Sequence, residues 1–220
     1  MIRESFVKHI KNLESEVTEM TSMVVTAINR SIEALKNRDT NEAKKIINDD
    51  ELINKKRQTI EDKCIYLIAT QQPVATDLRE IIAVLNIITD LERMGDYAEG
   101  IAKIIVLLGT DPLVKPLENI PKMAELAVSM LNRSIDSFIK RDARTAAAIC
   151  NEDDAVDSLY DKTYQELINC MIDDPQTVTK ATYLIWSAHN IERIADRVTN
   201  ICERIVFLVT GSMQTNVSKY

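Results

Sequence analysis

The segment NIERIADRVTN, residues 190–200, places Glu192, Asp196 and Asn200 at intervals of four. On a helix that spacing stacks three oxygen-bearing side chains along one edge, one turn apart. Carboxylate and amide oxygens in such a row can hold or bridge a hard cation. An earlier segment, DLERMGDYAEG over residues 90–100, repeats the pattern with Glu92 and Asp96. Gly100 stands there in place of the Asn, and Glu99 adds a further carboxylate. More acid surrounds Asp50 in NDDELINKK and Asp153 in NEDDAVDSLYDK, where Asp153, Asp157 and Asp161 recur every four residues. Like charges at that spacing cost an isolated helix roughly 0.2–0.5 kcal/mol per pair, so a repeated violation asks for compensation. Two readings compete: a cation held by the carboxylates, or a polar face neutralised by neighbouring Arg and Lys. Duplication of the whole Glu-Arg-x-x-Asp pattern raises the first to equal standing with the second. The candidate ligands are Glu92, Asp96, Glu192, Asp196 and Asn200, followed by Glu99, Asp50, Asp153 and Asp157.

Other chemistry has little support. His9 and His189 are the only histidines, too few for a zinc site of the His/Cys kind. A ferritin-like di-iron centre needs Glu-x-x-His pairs, whereas HNIE supplies the reverse order once. His189 is expected to be packed or hydrogen-bonded within its helix, and Trp186 to be a packing residue. No GxSxG, P-loop or GxGxxG segment occurs, so acyl transfer and nucleotide hydrolysis have no visible machinery. Cys64, Cys150, Cys170 and Cys202 are widely spaced, without a CxxC pair, and read as buried thiols of a reducing cytosol.

The elements that must carry these residues are helices. The 220-residue chain has only four glycines and five prolines, which leaves little room for hairpins. A formal net charge of −7 counts against nucleic-acid partners, since phosphate neutralisation needs a basic surface. No apolar run approaches a membrane span and the first residues lack the apolar core of a signal peptide, so a soluble cytoplasmic protein is expected.

The chain is also a duplication. AINRSIEALKNRD, beginning at Ala27, matches MLNRSIDSFIKRD, beginning at Met130, at an offset of 103 residues; the Glu-Arg motifs match at an offset of 100. The richest Pro/Gly stretch, GTDPLVKPLENIP, joins the halves, giving expected units of 1–112 and 113–220. Each half divides into three helices. The first runs from about Phe6 to Lys36; the second opens after Arg38, where Asp39 and Glu42 have capping-box spacing; the third starts after QQPVATD. In the second half the breaks fall at Lys140–Ala143 and at DDPQT, with Asp174 as N-cap and Pro175 at the first helical position. In the last helix Leu184, Ala188, Ile191, Ala195, Val198, Cys202, Ile205 and Val209 form an apolar seam, matched by Ile88, Leu91, Gly95, Ala98, Ala102 and Ile105. At 100° per residue, Glu192, Asp196 and Asn200 fall on a flank turning from the seam toward solvent, with Arg193, Arg197 and Arg204 on the other flank. Gly95 and Ala195 occupy equivalent seam positions where a neighbouring helix can come close. The expected fold is all-α, two tandem antiparallel three-helix bundles, with a homodimer as the expected assembly.

TDLREIIAVLNIITDLERMGDYAEGIAKI and NIERIADRVTNICERIVFLVTG resemble the two copies of the repeat in the PhoU family of phosphate-transport accessory proteins, and the likeness covers nearly the whole chain. The resemblance implies a non-enzymatic negative regulator of phosphate uptake and phosphate-starvation signalling. Such a protein couples the ATPase subunit of a phosphate transporter to a sensor histidine kinase and reaches the membrane only through those partners. It further implies that Glu92 and Asp96 belong to one surface metal site, and Glu192, Asp196 and Asn200 to another. Iron, manganese, magnesium or zinc are the candidate ions. Two departures, Gly100 at the family's Asn and VTKATYL where the first half has Asp77-Leu78-Arg79, imply that the two sites differ. The rival readings are a metal-dependent helical-bundle enzyme or metal store, and a metal-free structural adaptor.

Overall fold

A computed structural model of the chain describes residues 2–212; Met1 and residues 213–220, at the outer ends of the two expected units, lie outside the described residues. Seven α-helices and one 3₁₀ turn, with no strand, account for the described residues. They are α1 (Ile2–Asn37), α2 (Thr40–Gln71), α3 (Thr76–Leu108), α4 (Asn119–Lys140), α5 (Ala143–Cys150), α6 (Asp153–Asp173) and α7 (Val178–Thr210), with Pro175–Thr177 forming the 3₁₀ turn.

The boundaries follow from local chemistry. Asp39 caps α2 by accepting from the backbone N–H groups of Asn41 and Glu42. Only half of the expected capping box forms, because the Glu42 carboxylate turns to Arg30 on α1 instead of back to the cap. Gln72, in the left-handed region at φ 47°, ends α2 by donating its N–H to Ile68 O at 3.3 Å. The expected Asp174 cap and Pro175 sit on the 3₁₀ turn, where Asp174 accepts from the N–H of Gln176; α7 follows from Thr177, which makes no side-chain cap bond.

The expected single second helix of the second half is instead two, α5 and α6. Asn151 and Glu152 donate their N–H groups to the carbonyls of Ala148 and Ile149, three residues back, and this tightened turn redirects the chain. Glu152 is then held by a bidentate pairing of its carboxylate with Arg133 of α4. The six expected helices therefore become seven among the described residues.

Packing places α1, α2 and α3 in one bundle and α4, α5/α6 and α7 in the other, with α3 and α7 in contact at the centre and α1 beside α4. The two bundles share one apolar core. The α3 and α7 helices run antiparallel: Arg79 meets Gly211, Asp90 meets Asn200 and Gly100 meets Asn190. Both expected seams are buried except Val209, which stands 42 % exposed while Val206 and Leu208 beside it are in the core. Arg141, in the left-handed region at φ 55° after α4, ties the bundles by donating to Glu14 of α1 and Glu80 of α3.

The close approach expected at Gly95 is made by α2 rather than by α7. A Cβ on Gly95 would sit 3.1 Å from Ile53 Cδ1 and 3.3 Å from Asp50 Oδ1. Glycine there costs about 1 kcal/mol of helix propensity relative to Ala, and it lets α2 bring Asp50 against α3.

Candidate functional site

Each acidic motif of the third helix of a unit is faced by acid from the middle helix of that unit. In the first unit α3 carries Glu92, Asp96 and Glu99, and α2 carries Asp50. Burial, followed by the negative charges of Glu99, Asp96 and Glu92, pushes the Asp50 carboxyl up to about 6. Burial also raises Glu92 and Asp96, with Asp96 adding to the rise at Glu92 and Glu99 to that at Asp96. Partial compensation comes from Arg57 and Arg93, at 3.8 and 3.7 Å from Glu92, and from Lys103, 2.7 Å from Glu99. Among the described residues no cation pairs with Asp50; it accepts a hydrogen bond from Asn54 at 2.8 Å.

In the second unit α7 carries Glu192 and Asp196, and α6 carries Asp153 and Asp157. Burial pushes Asp153 up to about 7, with Asp157, Asp196 and Glu192 adding like charge. Glu192 and Asp157 are raised by burial and then by Asp196. Compensation is thinner here. Arg193 stands 3.7 Å from Asp196, and His189 Nδ1 is 3.2 Å from Glu192 Oε2 but is not aligned to donate to it. Asp153 Oδ1 and Glu192 Oε2 are both buried without a hydrogen-bond donor. A buried acceptor left unpaired costs about 1–3 kcal/mol, so these two oxygens are where the chain most lacks a positive partner.

The edge is less open than the helical angles suggested. The Glu192 side chain is only 22 % exposed and Asp196 39 %, because α6 packs alongside α7 and covers the flank that angular bookkeeping on α7 alone turned to solvent. Asn200 lies toward α3. Its amide nitrogen is 3.5 Å from Asp90 Oδ1, and Arg197 reaches the same oxygen at 3.5 Å. Asp90 was not among the sequence candidates. Burial raises its pKa, and Arg197 and Asn200 of α7 oppose that rise, making Asp90 the polar tie between the two central helices. Its only sequence signal was an acid two residues before Glu92, on the opposite face.

At the other end of the α3–α7 pair, a Cβ on Gly100 would sit 3.1 Å from Asn190 Nδ2. Glycine at this position leaves the space that Asn190 occupies. The secondary expectations divide. Trp186 is 53 % exposed beside Tyr183, not packed in the core, and the His189 ring lies 5.9 Å from Tyr160. Cys64 and Cys202 are buried, Cys150 and Cys170 half-buried, and all four are free.

The donor set of both edges is oxygen, suited to hard cations, and the orphaned Asp153 and Glu192 oxygens fit a positive ligand. As the side chains stand, no three His, Cys, Asp or Glu groups converge on one point among the described residues. No described helix is long and apolar enough to cross a membrane.

Comparison with known proteins matches the PhoU domain model twice, over residues 17–105 and 120–205. The phosphate-specific transport system accessory protein PhoU homolog of Clostridium acetobutylicum is 40 % identical over 212 residues, covering 96 % of this chain and 97 % of that protein. The protein of the same name from Rhizobium meliloti is 35 % identical over 212 residues, covering 96 % and 90 %. Among solved structures, the phosphate transport system regulatory protein PhoU from Streptococcus pneumoniae superposes with a TM-score of 0.89 at 32 % identity, over 95 % of this chain and 99 % of that one. PhoU from Pseudomonas aeruginosa gives 0.88 at 29 %, over 94 % and 100 %.

Proposed function

The chain belongs to the PhoU family, and from that membership we propose that it is a cytoplasmic negative regulator of phosphate uptake and phosphate-starvation signalling that works by docking rather than by catalysis. The relatives named phosphate-specific transport system accessory proteins, matched over nearly their whole length, support the transport role. The docking partners of this reading are the transporter ATPase subunit, a sensor histidine kinase and a second copy of the chain. Exposed Ile172, Val178 and Trp186 supply apolar area for such contacts. Purification from phosphate-replete cells should bring down both the ATPase and the kinase. Recovery of neither would overturn the docking role.

The acidic edges are proposed as two cation sites. Glu92 and Asp96 with Asp50 and Glu99 would hold one ion, and Glu192 and Asp196 with Asp153 and Asp157 the other; the Asn200 amide, whose nitrogen is turned to Asp90 of α3, would join the second only through its oxygen. The observation that carries this is the pair of orphaned buried oxygens on Asp153 and Glu192, at the centre of four mutually repelling carboxylates. A bound cation supplies charge neutralisation. The chain's part is to bring the carboxylates of the middle and third helices of each unit together, where burial raises their pKa, so that an ion would displace protons and fasten the two helices. The two edges are unequal: Arg57, Arg93 and Lys103 already offset the first, so the second has the greater need of an ion.

Equilibrium dialysis followed by elemental analysis tests this. Glu192→Ala with Asp196→Ala should remove most bound metal, and Glu92→Ala with Asp96→Ala a smaller share. Unchanged stoichiometry in both would leave the metal-free adaptor, a reading favoured by the lack of three converging ligands among the described side chains.

A further inference from the structure

A cleft of about 390 Å³ opens between α1 and α2 of the first unit and is floored by α3 at Gly95. Its walls are Met23, Ala27, Ile46, Leu52 and Ile53. Leu52 is 55 % exposed, so the outer wall reaches the surface. Along α1 the lining runs from Glu19 to Arg30, a trough roughly 16 Å long at 1.5 Å per residue.

The repeat partners of Ala27 and Gly95 are Met130 and Ala195, and these are 1 % and 0 % exposed. A larger, buried methionine stands in the second unit at the position where Ala27 lines the cleft in the first.

Charge selects the occupant. Among the described residues Arg30 is the one cation that lines the cleft, and it is committed to Glu42 and Asp49, so no lining cation is left for an incoming anion. Asp50, at the floor, has no cationic partner among the described residues. An apolar trough that ends on an unmatched carboxylate takes a bulky apolar side chain flanked by a base. Met23 adds an adaptable thioether to its wall. The elongated shape suits a helix laid along the groove better than a compact small molecule.

We propose that the α1–α2 cleft of the first unit is a docking groove for a partner protein's basic amphipathic helix, which inserts a large apolar anchor beside Ala27 and turns a Lys or Arg toward Asp50. Asp50 is common to the groove and the first cation site, so a bound ion and the helix's base compete for it, and the groove is tested with the ion removed.

The test is selection of displayed 16-residue helices of randomised sequence on the immobilised full chain, in chelator. Recovered helices should carry Phe, Trp, Leu or Met one turn from Lys or Arg. Their affinity should fall at least tenfold for Ala27→Met, which refills the cleft, and for Leu52→Gln, which strips a solvent-facing wall without touching the core. Melting temperatures of both variants establish that they fold. Failure to recover any helix, recovery of acidic or uncharged flanks, or equal affinity for Ala27→Met would each overturn the groove. Because the readout is peptide affinity without metal, none of these outcomes bears on the cation sites, and a negative metal analysis does not bear on the groove.

Discussion

Asp153 is half-buried, has one oxygen without a donor and faces three other carboxylates, which places its pKa near 7 against the usual 3.8. Asp50 follows at about 6. Between about pH 4 and pH 7 the folded chain therefore binds more protons at these groups than the unfolded chain does. Stability contributed here is present at the acid end of that window and declines as pH rises through it. In chelator, the melting temperature should fall from pH 5 to pH 7.5, and Asp153→Asn should flatten the fall. With a discount for the exposed half of the group, the Asn variant gains about 1 kcal/mol at pH 7.5, or roughly 2–4 °C by calorimetry. The same substitution should weaken metal binding, so stability and affinity move in opposite directions. A variant that melts lower than the parent at pH 7.5 would contradict this account of Asp153. The spacing of Glu92, Asp96, Glu192 and Asp196 was legible in the sequence because helix geometry converts it directly into position. Asp90 was not, since its role rests on Arg197 and Asn200 more than a hundred residues away.

The part played by α2 and α6 is not contained in the apolar seam of any single helix. The acidic flank of α7 is covered because a second helix lies on it, and one helix's angles do not contain that information. The break at Asn151 and Glu152 carried no Gly or Pro, only a turn stabilised by local backbone bonds and by Arg133. Gly95 was legible as a point of close approach, although not which helix comes close. Gly95→Leu should destabilise the chain by about 1–3 kcal/mol, measured by urea denaturation, because its side chain enters space held by Ile53 and Asp50. A stability equal to the parent would show that α2 can retreat. Gly100→Asn and Asn190→Ala should couple by at least about 0.5 kcal/mol in a double-mutant cycle, with the second change relieving the first. Additive effects would mean that the two positions do not share space.

For the whole molecule, the duplication and the all-α architecture were readable from repeat offsets, helix periodicity and the scarcity of glycine and proline. The joining of both bundles through α3 and α7 was not readable, because seam residues look alike whether they face their own bundle or the other. A fragment of residues 1–112 should consequently expose the α7-facing side of α3, bind a hydrophobic dye and elute above monomer size; a compact, cooperatively melting monomer would contradict the shared core. The halves are also non-equivalent: one edge is already offset by basic residues, and the cleft of the first unit is lined by Ala27 where the second carries the buried Met130. The role proposed for the whole molecule is regulation of phosphate uptake, and that claim is tested most directly by a phosphate-starvation reporter in phosphate-replete cells from which the gene has been deleted. The account predicts that the reporter switches on without the protein and is silenced when the parent chain is restored. A reporter that stays silent in the deletion strain would contradict it.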